Sequence, residues 1–191
     1  MPVSSVVRGV VALVALLSLG GCSVTVGRTP SRPNIDLAQQ ASSLGLLLEP
    51  EVQDQFSVVI NAPETVHVKE WRGTLEDGFR AGFASAFQMG AASADLKVQL
   101  AEAELTYAPT AVGRHGAVSA IEAQIRYKAR LVDARGQVLK RSTGTVSSKR
   151  SATSGREVSN VTVSAVESMY EQLSRDFFTE APPAPVAAPT P

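Results

Sequence analysis

The sequence predicts an α+β fold, an antiparallel sheet of about four or more strands with two helices packed on one face as a two-layer sandwich. Three patterns carry that expectation. In IEAQIRYKARL, the apolar positions Ile121, Ala123, Ile125, Tyr127, Ala129 and Leu131 alternate with Glu122, Gln124, Arg126, Lys128 and Arg130, as on a strand with one wet face. Trp71, Leu75, Phe79, Phe83 and Phe87 recur every four residues, as along one side of a helix. Val158, Val161, Ala165, Met169 and Leu173 follow one another at steps of three or four and mark a second helix.

At the N-terminus, Arg8 precedes an apolar stretch from Val10 to Leu19. A run of about ten residues is too short to cross roughly 30 Å of hydrocarbon as a helix, so it reads as an export signal. The run ends in Leu19-Gly20-Gly21-Cys22, and Cys22 is the single cysteine of the 191-residue chain. Two small residues before a thiol resemble the lipobox of bacterial lipoproteins, in which the cysteine is acylated and the peptide before it removed. Two or more acyl chains make membrane attachment stable where one is marginal. Ser23 rather than Asp follows, which in the enteric pattern resembles export onward to the outer membrane.

The expected division is a signal peptide over 1–21, acylated Cys22 with a flexible tether to 34, one periplasmic domain over 35–180, and a tail over 181–191. The stretch SVTVGRTPSRPN mixes Gly, Ser and Pro without a period and could span about 40 Å if extended. The tail APPAPVAAPTP cannot sustain a helix or a ladder, because proline lacks the N–H and fixes φ.

Within the domain, Leu44 to Leu48 and Phe56 to Ile60 are short apolar runs that can add strands. Gly78 and Gly82 make a small-residue strip on the first helix, suited to close approach to a sheet. From Asp95 to Tyr107 the alternation changes phase, Leu96, Val98 and Leu100 in one register and Ala101, Ala103, Leu105 and Tyr107 in the other. That change predicts a bulge near Leu100 to Ala101, the alternative being a strand buried partly on both faces. Asp133-Ala134-Arg135-Gly136 supplies turn residues, and Gln137 to about Lys149 is rich in Thr, Ser and Val, giving a long antiparallel hairpin. Ser154 and Glu157 have capping-box spacing at the head of the second helix, which should run to about Phe178.

Formal net charge is zero, with 18 basic and 18 acidic residues, so bulk composition marks neither a nucleic-acid binder nor a disordered acidic chain. One Cys with His67 and His115 cannot assemble a Cys/His zinc site, and no metal or other cofactor is expected. GxxxxGK, GxSxG, Ser-x-x-Lys and HExxH are all absent, so no enzyme activity is expected. Glu102 and Glu104 share a strand face, where they read as solvated carboxylates. Charge is unevenly placed. Nine basic residues lie between Arg126 and Arg156 against the single acid Asp133, whereas Glu49, Glu51, Asp54, Glu64, Glu70, Glu76 and Asp77 gather upstream. Arg126, Lys128 and Arg130 are therefore the candidate face for an anion, whether lipid headgroups, lipopolysaccharide phosphates or an acidic partner.

The lipobox at Cys22, the helix WRGTLEDGFRAGFASAF, the strands ADLKVQLAEAELTY and AIEAQIRYKARLVDARGQVL, and the closing helix SAVESMYEQLSRDFF together resemble small Gram-negative envelope lipoproteins. That group includes YajG-type proteins, LPS-assembly lipoproteins and ABC-transport auxiliary lipoproteins. The likeness lies in order and pattern, chiefly the Y-x-A-x-L-x-D-x-x-G-x-V-L hairpin from Tyr127 to Leu139, and SVTVGR departs from the aromatic-containing start of LPS-assembly lipoproteins. It implies a non-enzymatic accessory that packs against an envelope transport or assembly partner from the periplasmic side of a membrane; with Ser23 after the cysteine, the expected location is the outer membrane, facing the periplasm. The alternative expectation is a lipid or glycolipid carrier whose Phe79, Phe83 and Phe87 line a pocket beneath the sheet.

Overall fold

In a computed structural model of the chain, the structure describes residues 23–61, 64–90, 93–112, 118–151 and 155–179. The expected signal peptide, Cys22, His115, the Ser154 cap and the proline-rich tail fall outside these residues. The elements in chain order are β1 (Ser23–Val26), β2 (Ser43–Leu48), β3 (Phe56–Asn61), β4 (Glu64–Val68), α1 (Trp71–Phe83), β5 (Gln88–Met89), β6 (Leu96–Val112), β7 (Val118–Asp133), β8 (Val138–Ser151) and α2 (Gly155–Phe178).

The long strands form where alternation is strict. β7 buries Ile121, Ala123, Ile125, Tyr127, Ala129 and Leu131 and pairs antiparallel with β6 on one side and β8 on the other. The phase change in β6 is a bulge. Leu100 sits opposite Ala129 and Glu102 opposite Lys128, which leaves Ala101 without a partner and returns Ala103, Leu105 and Tyr107 to the core face. At the β7–β8 turn, Asp133 Oδ1 accepts the N–H groups of Arg135 (2.9 Å) and Gln137 (2.8 Å), and Gly136 takes φ 81°, a conformation open to glycine.

The expected single antiparallel sheet is corrected to two mixed sheets. One has three strands in the order β1-β4-β3, with β1 parallel to β4; the other has five in the order β5-β2-β6-β7-β8, with β2 parallel to both β5 and β6. The reason is the connection. β2 reaches β6 through β3, β4 and α1, a crossover that returns the chain to the end where β2 began. Alternation reports which face of a strand is buried and carries no information about its direction.

α1 ends at Phe83 rather than running on to Phe87, but the Phe87 N–H bonds the Phe83 carbonyl (3.0 Å) and keeps that ring in the core. Its start lacks a side-chain cap from Glu70; Asp54 serves instead, accepting the Trp71 N–H on its carbonyl (3.0 Å) and the Arg72 N–H on its carboxylate (3.1 Å). α2 buries Val158, Val161, Ala165, Val166, Met169, Tyr170, Leu173 and Phe177. It lies against β7 and β8, and α1 packs on α2 and β2. Three buried side-chain polar groups in this layer find partners, whereas Ser31 Oγ, packed over Gly78, has none. Trp71 Nε1 donates to the Ala103 carbonyl (3.0 Å), Tyr170 Oη to the Leu75 carbonyl (2.7 Å), and the Tyr107 hydroxyl meets Thr162 Oγ1 (2.6 Å).

Residues 23–34, expected as a tether, are built into the fold. Ser23–Val26 form β1, and the chain beyond them is strapped across α1 and α2. Arg28 makes two hydrogen bonds to the Asp77 carboxylate (2.7 Å each), and the backbone N–H groups of Arg32 and Asn34 donate to Glu167 (2.9 Å) and Glu171 (3.0 Å). This strap, together with α2, is what the glycine strip admits, in place of the expected sheet. A Cβ on Gly78 would lie 2.5 Å from Ser31 Oγ and 3.0 Å from Val166, and one on Gly82 2.8 Å from Ile35 Cδ1.

Candidate functional site

The outward face of β7 carries Arg126, Lys128 and Arg130, as its alternation requires. What the alternation does not reveal is the partner strand. After the bulge at Ala101, β6 turns Glu102 and Glu104 to the same face, opposite Lys128 and Arg126. Arg126 Nε lies 2.7 Å from Glu102 Oε1 and its guanidinium also bonds Glu104, while Lys128 Nζ lies 2.7 Å from Glu102 Oε2. Arg130 reaches Glu49 Oε1 at 3.5 Å. The three candidate cations are thus ion-paired within the protein, and Glu102 and Glu104 are paired carboxylates rather than merely solvated ones.

These pairs set the electrostatics of the face. The Lys128 ammonium hydrogen-bonded to Glu102, with Arg126 beside it, holds that carboxyl below the usual carboxylate range. The bond to Glu104, with Glu102 adjacent, raises the Arg126 guanidinium in turn. Two neighbouring rows extend the arrangement: Glu122 faces Lys149, whereas Arg130 faces Arg141, like charges directly across the ladder. The basic hairpin read from the sequence is therefore a patterned surface in which acids from β6 and from Glu49 interleave with its bases.

The carboxyl of Glu102 fixes the sign of one pH effect. A carboxylate whose pKa is depressed on folding adds stability above its unfolded pKa, and that stability is lost as pH falls through its folded value. Glu102→Gln is expected to flatten the acid limb of a plot of urea midpoint against pH while changing the unfolding free energy at neutral pH by no more than about 1 kcal/mol. Equal acid limbs for variant and wild type would contradict the pairing.

Phe79, Phe83 and Phe87 are buried and pack on one another, with Phe79 and Phe83 centroids 5.0 Å apart and Phe83 and Phe87 6.3 Å apart. His67 stands on β4 with its Nδ1 2.8 Å from Ser57 Oγ across the β3–β4 ladder. That is a hydroxyl–imidazole pair, and among the described residues no carboxylate is hydrogen-bonded to the ring. Among the described residues no group of three His, Cys, Asp or Glu side chains could hold a metal ion. A cleft of about 480 Å³ separates β3 from β6, lined by Glu51, Phe56, Val58, Glu102, Glu104 and Leu105 among others.

Sequence reasoning missed the clamp made by Arg72. Its guanidinium donates to the carbonyls of Leu48 (2.8 Å), Glu49 (2.9 Å) and Val52 (2.9 Å), holding the loop that presents Glu49 to Arg130. No sequence signal marks it, because one arginine on a helix looks like any other solvated charge.

No family model matches the chain, and no curated protein matches it. Solved structures do. A crystal structure of a Xanthomonas campestris protein, described under family model DUF330, superposes with a TM-score of 0.52 at 18% identity over 78% of this chain and 91% of that one. The fold is therefore a known one. A minor lipoprotein of Acinetobacter baumannii matches with a TM-score of 0.48 at 13% identity, over 72% of this chain and 90% of that one. Uncharacterized lipoprotein B of Nitrosomonas europaea matches with a TM-score of 0.42 at 14% identity, over 72% and 85%. At these identities the likeness is one of fold.

Proposed function

We propose that the chain is a lipid-anchored envelope protein, acylated at Cys22 and facing the periplasm from the outer membrane. In this reading it is a non-enzymatic accessory or assembly component of an envelope transport or outer-membrane complex. The observation that carries the reading is the placement of the single cysteine, at the end of a short apolar run and after two glycines. A run of that length suits export and processing, not spanning. Among the described residues no helix is long and apolar enough to cross a membrane.

The partner in this reading is a protein, with the outward face of β6 and β7 as its docking surface. Glu102 and Glu104 alternate with Arg126 and Lys128 there, and a face patterned in both signs selects a surface of complementary pattern. A uniformly anionic lipid or lipopolysaccharide surface would meet the carboxylates as well as the cations.

Crosslinking in intact cells, followed by pull-down and mass spectrometry of wild type and Cys22→Ala, tests the reading. The expected result is a transporter or barrel subunit recovered with wild type and lost with the unanchored variant. Equal recovery with both, or recovery of lipid and cell-wall material alone, would overturn it.

A further inference from the structure

An acyl anchor followed by a flexible tether would leave the domain free to tumble above the bilayer. Here no tether intervenes. Cys22 is joined by one peptide bond to Ser23, and Ser23 is already paired in β1 with Thr65 of β4. β1 is locked at its far end as well, since the Lys69 N–H bonds the Val26 carbonyl (2.9 Å), and the strap that follows is tied to Asp77, Thr74, Glu167 and Glu171.

The register shows what that short connection places beside the anchor. Ser23, Thr65 and Val59 form one row across β1, β4 and β3, on the outward face of the three-stranded sheet. Adjacent strands lie about 4.8 Å apart, so Val59 sits roughly 10 Å from Ser23. Val59 is 64% exposed, the most exposed large apolar side chain among the described residues. The strand residues in the same phase are Thr25, His67 and Ser57, hydroxyls and one imidazole, and Lys69, which follows β4 and lines one surface pocket with them, adds a positive charge at the end away from Ser23. The outward face of the five-stranded sheet is the opposite in character, crowded with Glu, Arg and Lys.

We infer that the end of the three-stranded sheet bearing Ser23 is seated directly on the bilayer, with Val59 in the headgroup region and the hydroxyls of Ser23 and Thr65 among the lipid polar groups. The occupant of this face is the membrane because the anchor leaves no length of chain by which the face could leave it. At the end next to the anchor, the row Ser23, Thr65 and Val59 offers two hydroxyls and one aliphatic side chain to that interface, with Lys69 at the other end of the face. The inference rests on acylation of Cys22, and it adds an orientation: Val59 lines the cleft between β3 and β6 together with Glu102 and Glu104, so seating this end on the bilayer brings the rim of the charged face near the headgroups and leaves the β7 cations one strand farther on.

Spin labels report it. Acylated protein isolated from membranes, with Val59→Cys or, as control, Leu139→Cys, is labelled and placed in phosphatidylethanolamine–phosphatidylglycerol vesicles; Leu139 is 48% exposed and lies on β8 of the other sheet. Power saturation with oxygen and a nickel chelate is expected to give a several-fold higher oxygen-to-nickel accessibility ratio at 59 than at 139. Inserting about ten Gly and Ser residues after Cys22 is expected to return the label at 59 to the aqueous value with the protein still on the vesicle. Acylated protein with equal ratios at 59 and 139 overturns the inference and leaves the anchor standing. Protein without acyl mass on Cys22 overturns both.

Discussion

Phe83→Ala is expected to destabilise the fold by about 3–5 kcal/mol, read as a fall in the urea midpoint at unchanged m-value. Phe83 is 0% exposed and is the ring on which the others converge. Its centroid lies 5.0 Å from Phe79, 5.7 Å from Phe178, and 6.3 Å from both Phe87 and Tyr170. Alanine is the better helix former by roughly half a kcal/mol, so the loss measures packing alone. The same substitution separates two functions. If these rings instead lined a lipid pocket, truncation would change lipid binding and cost little stability. A loss under about 1 kcal/mol would contradict the packed cluster and restore the carrier reading.

Deleting residues 23–35 is expected to abolish cooperative unfolding, or to leave a domain weaker by several kcal/mol, because the strap is part of the core. Val26 is 2% exposed, and burying a side chain of that size is worth about 1.5–3 kcal/mol. The deletion also strips Ser31 and Pro33 from the glycine strip of α1, removes the two Arg28–Asp77 hydrogen bonds, and leaves an edge of β4 without its partner. Against a typical total of 5–15 kcal/mol, these losses together are a large fraction. Circular dichroism and urea titration of the shortened chain read the outcome. A shortened chain as stable as the full one would mean that these residues are a tether after all.

What the sequence reveals follows from what periodicity can encode. β7 and α2 are long and strictly periodic, and their buried faces are the ones the pattern names. The bulge at Ala101 was legible because one extra residue inverts the alternation, and the β7–β8 turn because Asp133 and Gly136 have local roles. β1 was not legible. SVTV is four residues between a glycine and the apolar run, too short to show a period, and its pairing partner lies some forty residues on. The face chemistry was half legible: the positions of Arg126, Lys128 and Arg130 follow from alternation, but their partners depend on register and on Glu49, which is 81 residues from Arg130. Non-local ion pairs are set by topology, which no single strand carries.

Intact mass spectrometry of the protein extracted from the membranes of a Gram-negative host tests the central claim most directly. The account predicts a mature chain that begins at Cys22 and carries the added mass of diacylglycerol, with acyl groups confined to that N-terminal residue. A chain that keeps residues before Cys22, or one that bears a free thiol there, would contradict it.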